Sequence, residues 1–354
     1  MHKLLHALSP GRLFGLLLIV SVTCPASVLA GDISARDLRG AQSQEGLFTV
    51  HTFDDGRIAF EIPERMLGRD MAVMSRYAKA QEGLAERGGG DRMSANMVVY
   101  WERRGNRIVL RTRTHANTAD ADSPLALAVA NSNFAPVLAA FPVAVERDGN
   151  AVIDVTALYL GDHPSFSFPR ERREDLGIRE FDADRSWLEW ARAFPKNIEI
   201  RAVRSYDADQ PPSNPRGGTV SFEINHSMIL LPEEPMMPRL ADERVTYITV
   251  TQTDYSRDFQ GVRPHQYLRR YRLEPKDMEA FRRGELVEPK DPIIWYIDPA
   301  TPEEWVPYFK AGIMEWASAF EKAGFKNAVD VKLAPTEEED PDFSLLDARY
   351  NVIR

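Results

Sequence analysis

The chain has 354 residues, is 44% hydrophobic and 27% charged, and carries a formal net charge of −9. That is enough apolar material for two or three packed domains and argues against disorder. An acidic chain without a basic stripe argues against nucleic acid or an anionic membrane as a partner. Its one cysteine, Cys24, excludes an internal disulfide or a multi-thiolate zinc site.

Lys3 and Arg12 flank the start of an apolar run, Leu13 to Val22, and Val28-Leu29-Ala30 resembles a small-residue cleavage site. Residues 1–30 therefore read as a signal peptide, which implies export to the periplasm, cell envelope or exterior. The run is too short to span a bilayer comfortably, so no stable membrane insertion is expected after cleavage. An uncleaved anchor is the competing reading. A lipid-modified Cys24 is disfavoured by its neighbours Thr23 and Pro25.

Strand signals follow. Leu47–Phe53 and Arg57–Ile62 flank Asp54-Asp55-Gly56 and predict a β-hairpin. Met71 to Ala80 reads as a strand or a short helix. Gly88 to Gly90 lie in a loop, and no Lys-Ser or Lys-Thr follows to make a phosphate cradle. Met97–Glu102 and Arg107–Thr112 predict a second hairpin across Gly105. Ser123 to Asn131 suits a helix or a buried strand. Val137–Val145 and Ala151–Val155, joined through Asp148-Gly149-Asn150, predict a third hairpin-like pair. Trp187, Trp190, Ala191 and Phe194 share one helical face, so 182–194 reads as a helix. Asn197–Ser205, Thr219–Leu231 and Val245–Thr253 alternate as strands, with an exposed Pro- and Gly-rich loop over 211–218. Pro275 to Gly284 predicts a short capped helix. This gives a small β domain at 31–82 and a larger β-rich domain at 91–285.

The remainder, 288–354, has a different pattern. Ile293 to Ile297 is wholly apolar, as a strand in a parallel sheet would be. Thr301-Pro302-Glu303-Glu304 reads as a capping box, although Pro307 either shortens the first turn or moves the helix start to Val306. Val306, Phe309, Ile313, Trp316 and Phe320 form an apolar stripe. Gly324 and Phe325 fit a Schellman cap, and Val329, Val331 and Leu333 alternate as a strand. The unit is strand, helix, strand, with parallel strands expected.

Several runs here and upstream resemble one family. They are Pro292 to Pro302, Ala319-Phe320-Glu321, Ala323 to Ala328, Leu231 to Val245, Tyr271 to Asp277 and Asp347 to Arg354. The chain resembles exported bacterial zinc-dependent metalloproteases, which place two domains of unknown function ahead of a zincin-type catalytic domain. The resemblance implies an α+β fold: β-rich antiparallel N-terminal domains followed by the first βαβ unit of a zincin-like α/β domain. It also implies a peptide or protein substrate, zinc-bound water and a glutamate base for a full-length relative. The family's His-Glu-x-x-His, which sets two zinc ligands one turn apart, is absent: no histidine here is followed by glutamate. No catalytic, cofactor-binding or metal residue is therefore assigned. The chain is expected to be inactive alone, as the amino-terminal portion of such a peptidase, with no zinc of its own. A non-catalytic secreted binding or inhibitory module is the alternative.

Weaker features have plainer readings. No Gly-x-Ser-x-Gly elbow occurs. Glu233-Glu234 and Glu337 to Asp340 suit solvated loops, and the arginines at 269, 270, 272, 282 and 283 suit surface cover. His163 and His226 are isolated. Met236 to Arg244 is expected either to pack near 293–333 or to be a surface connector.

Overall fold

Alternating apolar residues along most of the strands let two antiparallel sheets bury one core between them, and a parallel unit is attached to one side. The computed structural model describes residues 33–213, 216–256, 262 and 264–354. The expected signal peptide and Cys24 lie outside the described residues.

The chain begins with α1 (Ala35–Gly40), β1 (Gln42–Gln44), β2 (Thr49–Thr52), β3 (Ile58–Ile62) and β4 (Met71–Ala80). Next come β5 (Met97–Arg104), β6 (Arg107–Arg113), β7 (Asn117–Thr118), α2 (Ala126–Ser132), β8 (Val137–Pro142), β9 (Val145–Arg147) and β10 (Asn150–Asp154). Then follow α3 (Thr156–Leu160), α4 (Arg170–Leu176), and the long strands β11 (Ile178–Ala193), β12 (Asn197–Ala208) and β13 (Thr219–Leu230). A short pair, β14 (Thr249–Asp254) and β15 (Pro264–Leu268), leads to α5 (Met278–Arg282). The chain finishes with β16 (Ile293–Ile297), α6 (Val306–Met314), α7 (Ala317–Lys322), β17 (Val329–Leu333) and β18 (Asn351–Ile353).

One sheet has the order β1-β2-β3-β10-β9 and the other β11-β12-β13-β4-β5-β6-β8. All their pairings are antiparallel. The stretch between 82 and 91 is a loop, yet it divides neither sheets nor cores. β3 pairs with β10, and β4 lies between β13 and β5. Val50 and Phe60 from one sheet, with Leu47 and Phe48 just before β2, join Val73, Trp101, Ile200 and Met228 from the other in one buried cluster. Trp101 is fully buried and meets Phe48, Phe60 and Phe141 at 5.9–6.4 Å between ring centroids.

The hairpins at 54–56 and 103–106 form as the sequence predicts. Two elements depart from expectation, and a third resolves to one of its two readings. Residues 182–193 are strand, because register shifts near Asp182–Trp187 and Leu188–Trp190 insert residues and mimic a helical spacing. Val137–Pro142 pairs with β6, not with Ala151–Val155; the chain changes sheets at 143–144, and the hairpin is β9–β10. Its turn uses positive φ at both Asp148 and Gly149. Residues 126–132 form a helix, but Leu125 and Leu127 beside and within it stay exposed.

In the last unit β16 is the centre of a three-stranded sheet, parallel to β17 on one side and β18 on the other. The capping box at Thr301 does not form; the first helix starts at Val306, with Pro307 in its first turn. The stripe is broken at Glu315–Trp316 into two helices. The cap at the end forms as read: Phe325 N donates to Phe320 O and Gly324 N to Glu321 O, with Gly324 at φ 95°. Phe281 packs where a Cβ on Gly324 would fall.

Candidate functional site

The last unit meets the sandwich on a polar face of β12, β13 and β4. In β12 the inward residues are Ile198, Ile200 and Ala202, so Asn197, Glu199 and Arg201 fall on the other face. Antiparallel register sets Glu199 opposite Ser227, and Arg201 opposite Asn225. Arg76 of β4 lies opposite Asn225 in turn.

Glu199 is 2% exposed and accepts three hydrogen bonds. They come from Asn197 Nδ2 at 2.7 Å, Asn225 Nδ2 at 2.6 Å and Ser227 Oγ at 2.7 Å. Burial pushes its carboxyl above the ordinary value, opposed by these donors and by the Arg76 charge. Glu223 pairs with Lys79 at 2.5 Å and Arg201 at 3.5 Å. The Arg201 guanidinium lies 4.6 Å from the Trp190 ring centre, and burial lowers its pKa.

Asn197 joins this network to the C-terminal unit. Its Nδ2 donates to Leu346 O at 2.9 Å, and Ala348 N donates to its Oδ1 at 3.0 Å. One amide thus satisfies both backbone groups flanking Asp347, as a neighbouring strand would. Asp347 is 1% exposed and holds Arg349 through both carboxylate oxygens. Beside the junction is a cavity of about 360 Å³ lined by Arg201, Pro299, Pro335, Phe343, Leu346 and Arg354. It lies where β16, β17 and β18 end. The two cations already face carboxylates: Arg201 meets Glu223, and Arg354 meets Asp298 at 3.5 Å. Chemically the network is a seat. It fixes the last unit on the sheet and presents no nucleophile to solvent.

The described histidines do not converge. His115 pairs with Asp70 at 3.1 Å, and His163 contacts Leu138 O. His226 is buried beside Tyr159 and Phe166, with Ser75 on Nδ1 at 2.8 Å. His51 bonds Ser43 and Glu61. Among the described residues no three His, Cys, Asp or Glu side chains are grouped as a metal would need. Met236–Arg244 does not pack as expected near 293–333. Its backbone bonds run to Gln266 and Leu268, and Arg270 reaches Met237 O. There Arg244 donates to both carboxylate oxygens of Asp242.

Asn197, Glu199, Asn225 and Ser227 were not singled out as site residues. Their signal is polar residues of matching parity on two strands otherwise apolar, which becomes meaningful only once the register is known.

Residues 90–276 match the family described as Domain of unknown function (DUF5117). The chain belongs to the DUF5117 family. Residues 38–80 match a second description, Domain of unknown function (DUF5118), so two adjacent domains of unknown function are present, as the resemblance implied. The DUF5117 segment supplies Glu199 and its three donors; the DUF5118 segment supplies Arg76 and Lys79. The two matched segments share one core. No curated protein matches the chain, and no solved structure does.

Proposed function

We propose that the chain is the amino-terminal portion of an exported zinc-dependent metallopeptidase, inactive as a peptidase on its own, in which the DUF5118–DUF5117 sandwich carries the first strands of a zincin-type domain. The observation that carries this reading is the all-parallel β17-β16-β18 unit, with helices between β16 and β17, seated on the sandwich through Asn197. Parallel sheets are normally covered on both faces. Here Trp305, Tyr308, Phe309, Met314 and Trp316 remain exposed on or beside the helices, which suits a layer that a larger α/β domain covers. The sandwich then serves as a scaffold. No step of peptide hydrolysis is assigned to this chain's residues.

Reading the coding frame past codon 354 tests the proposal. An in-frame His-Glu-x-x-His in a helical pattern supports it; a stop with no such motif beyond overturns it. A second reading, a binding or inhibitory module, is favoured by the three-stranded β15-β14-β7 arm. Leu240, Val245, Tyr247, Ile248 and Val250 there are 41–69% exposed. Inhibition of an exported peptidase by the purified chain supports that reading, and casein turnover by the chain alone contradicts both.

A further inference from the structure

We propose that Ser43, His51 and Glu61 form a nucleophilic site for small carboxylic esters. The site is independent of the peptidase reading and lies in the DUF5118 segment. Three adjacent strands assemble it. Register sets Ser43 of β1 opposite His51 of β2, and His51 opposite Ala59 of β3, two residues before Glu61. These side chains occupy the sheet face away from the shared core, where Ile33 and Leu38 pack on Ala59 and Val152.

Ser43 Oγ is 2.7 Å from His51 Nδ1. His51 Nε2 is 3.1 Å from Glu61 Oε2. Glu61 is held in turn by Asn150 Nδ2 at 2.8 Å on its other oxygen, with Arg147 at 3.6 Å. A carboxylate oxygen accepts, so Nε2 carries the hydrogen and Nδ1 keeps its lone pair for the serine hydroxyl. Hydroxyl, imidazole base and orienting acid are the parts of an activated serine. The two ring nitrogens have exchanged roles relative to the usual order, which leaves the proton path intact.

Accessibility follows the same order. Ser43 is exposed on an edge strand, His51 is fully buried, and Glu61 is 6% exposed. An exposed hydroxyl can find water and has no need of a buried imidazole. Burial favours the neutral, basic form of His51, opposed by Glu61 and aided by Arg147. The open edge suits small, unhindered esters.

In the reaction Ser43 Oγ bonds to the carbonyl carbon as its proton passes to His51 Nδ1. The carbon–oxygen bond to the alcohol breaks, and His51 returns the proton to the departing alkoxide. Water then attacks the acyl-serine, giving a proton to His51; the ester bond to Oγ breaks, and that proton restores the hydroxyl. Acid and alcohol leave, and the serine is regenerated.

The test treats the full chain with a fluorophosphonate probe, maps the adduct by peptide mass spectrometry and follows p-nitrophenyl acetate hydrolysis. Labelling of Ser43 is expected to be at least tenfold faster than that of the exposed Ser318, and Ser43→Ala is expected to remove it with most of the turnover. Glu61→Gln is expected to slow both about tenfold. The wild-type rate is expected to rise with pH as His51 deprotonates, with a midpoint below the ordinary imidazole value; Glu61 and Arg147 are the charged groups facing it. Ser43 labelling no faster than Ser318, or a pH profile flat through the imidazole range, overturns the proposal. These two readouts use folded wild-type protein, so instability of the Ser43 or Glu61 variant does not affect them.

Discussion

In the sandwich Trp101 is fully buried against three other rings; in the parallel unit Trp305 and Trp316 are 54% and 63% exposed. Both regions are rich in aromatic residues, so composition does not account for the difference. The sandwich has two layers, and inward residues of both meet in one buried cluster. The parallel unit has one sheet with helices beside it, and its own buried cluster is Ala280, Val287, Phe325 and Ala328. An apolar stripe becomes a core only when a second layer covers it.

The largest expected effect is at the centre of the sandwich. Trp101→Ala is expected to cost about 3–5 kcal/mol in denaturant unfolding, from lost burial and the cavity left behind. A cost under about 1 kcal/mol would mean the two sheets do not share a core. Arg204→Ala comes next. Arg204 is fully buried and donates to Phe166 O at 2.8 Å and Tyr159 O at 2.7 Å. Its removal leaves two buried carbonyls unsatisfied, for a loss of about 3 kcal/mol. The same melt at constant pH checks it.

Two buried groups on opposite faces of β12–β13 give opposing pH dependences. His226 is held neutral by burial, well below the ordinary 6.5. Below that pH the unfolded chain binds a proton that the folded chain refuses, so stability is lost as pH falls. Glu199 is raised above the ordinary 4.5. Its folded state keeps a proton that the unfolded chain releases, so stability from this group is lost as pH rises above that value. His226→Gln is therefore expected to flatten the acid loss, and Glu199→Gln to steepen it. Each change is bounded by about 1.4 kcal/mol per pH unit for one proton. Urea midpoints between pH 4 and 8 separate them, and equal slopes in both variants would sink the assignment.

Local chemistry made much of this legible. Gly56, Gly105 and Gly149 each mark a turn that needs positive φ, and each closes a hairpin. Gly324 and Phe325 marked the cap between α7 and β17 in the same way. Long-range pairing was not legible. The bulges of β11 depend on β12, and the exchange of strands between the DUF5118 and DUF5117 segments depends on the shared core. Glu199 and Ser43 were missed for a related reason: their partners are 26 and 8 residues away, on other strands.

Asn197→Ala probes the seam between the two regions. It removes both bonds to the 346–348 backbone and one donor from Glu199, at a cost of about 1–3 kcal/mol. Amide exchange is expected to rise in 344–353 while β5 and β6 stay protected. Equal loosening throughout would make the sandwich and the parallel unit one cooperative body.

The smallest effect is expected on the exposed helices. Trp316→Ser is expected to change stability by less than about 0.5 kcal/mol, because the side chain is 63% exposed. Phe325→Ala, nine residues on and 7% exposed against Phe281 at 5.1 Å, is expected to cost about 3 kcal/mol. The pair sharpens the comparison within a single unit: same residue class, same neighbourhood, different cover. If Trp316→Ser costs as much as Phe325→Ala, the helix face is covered in solution. A concentration series then separates the causes. A cost that vanishes on dilution assigns the cover to another copy of the chain, and a cost that persists assigns it to the chain's own residues.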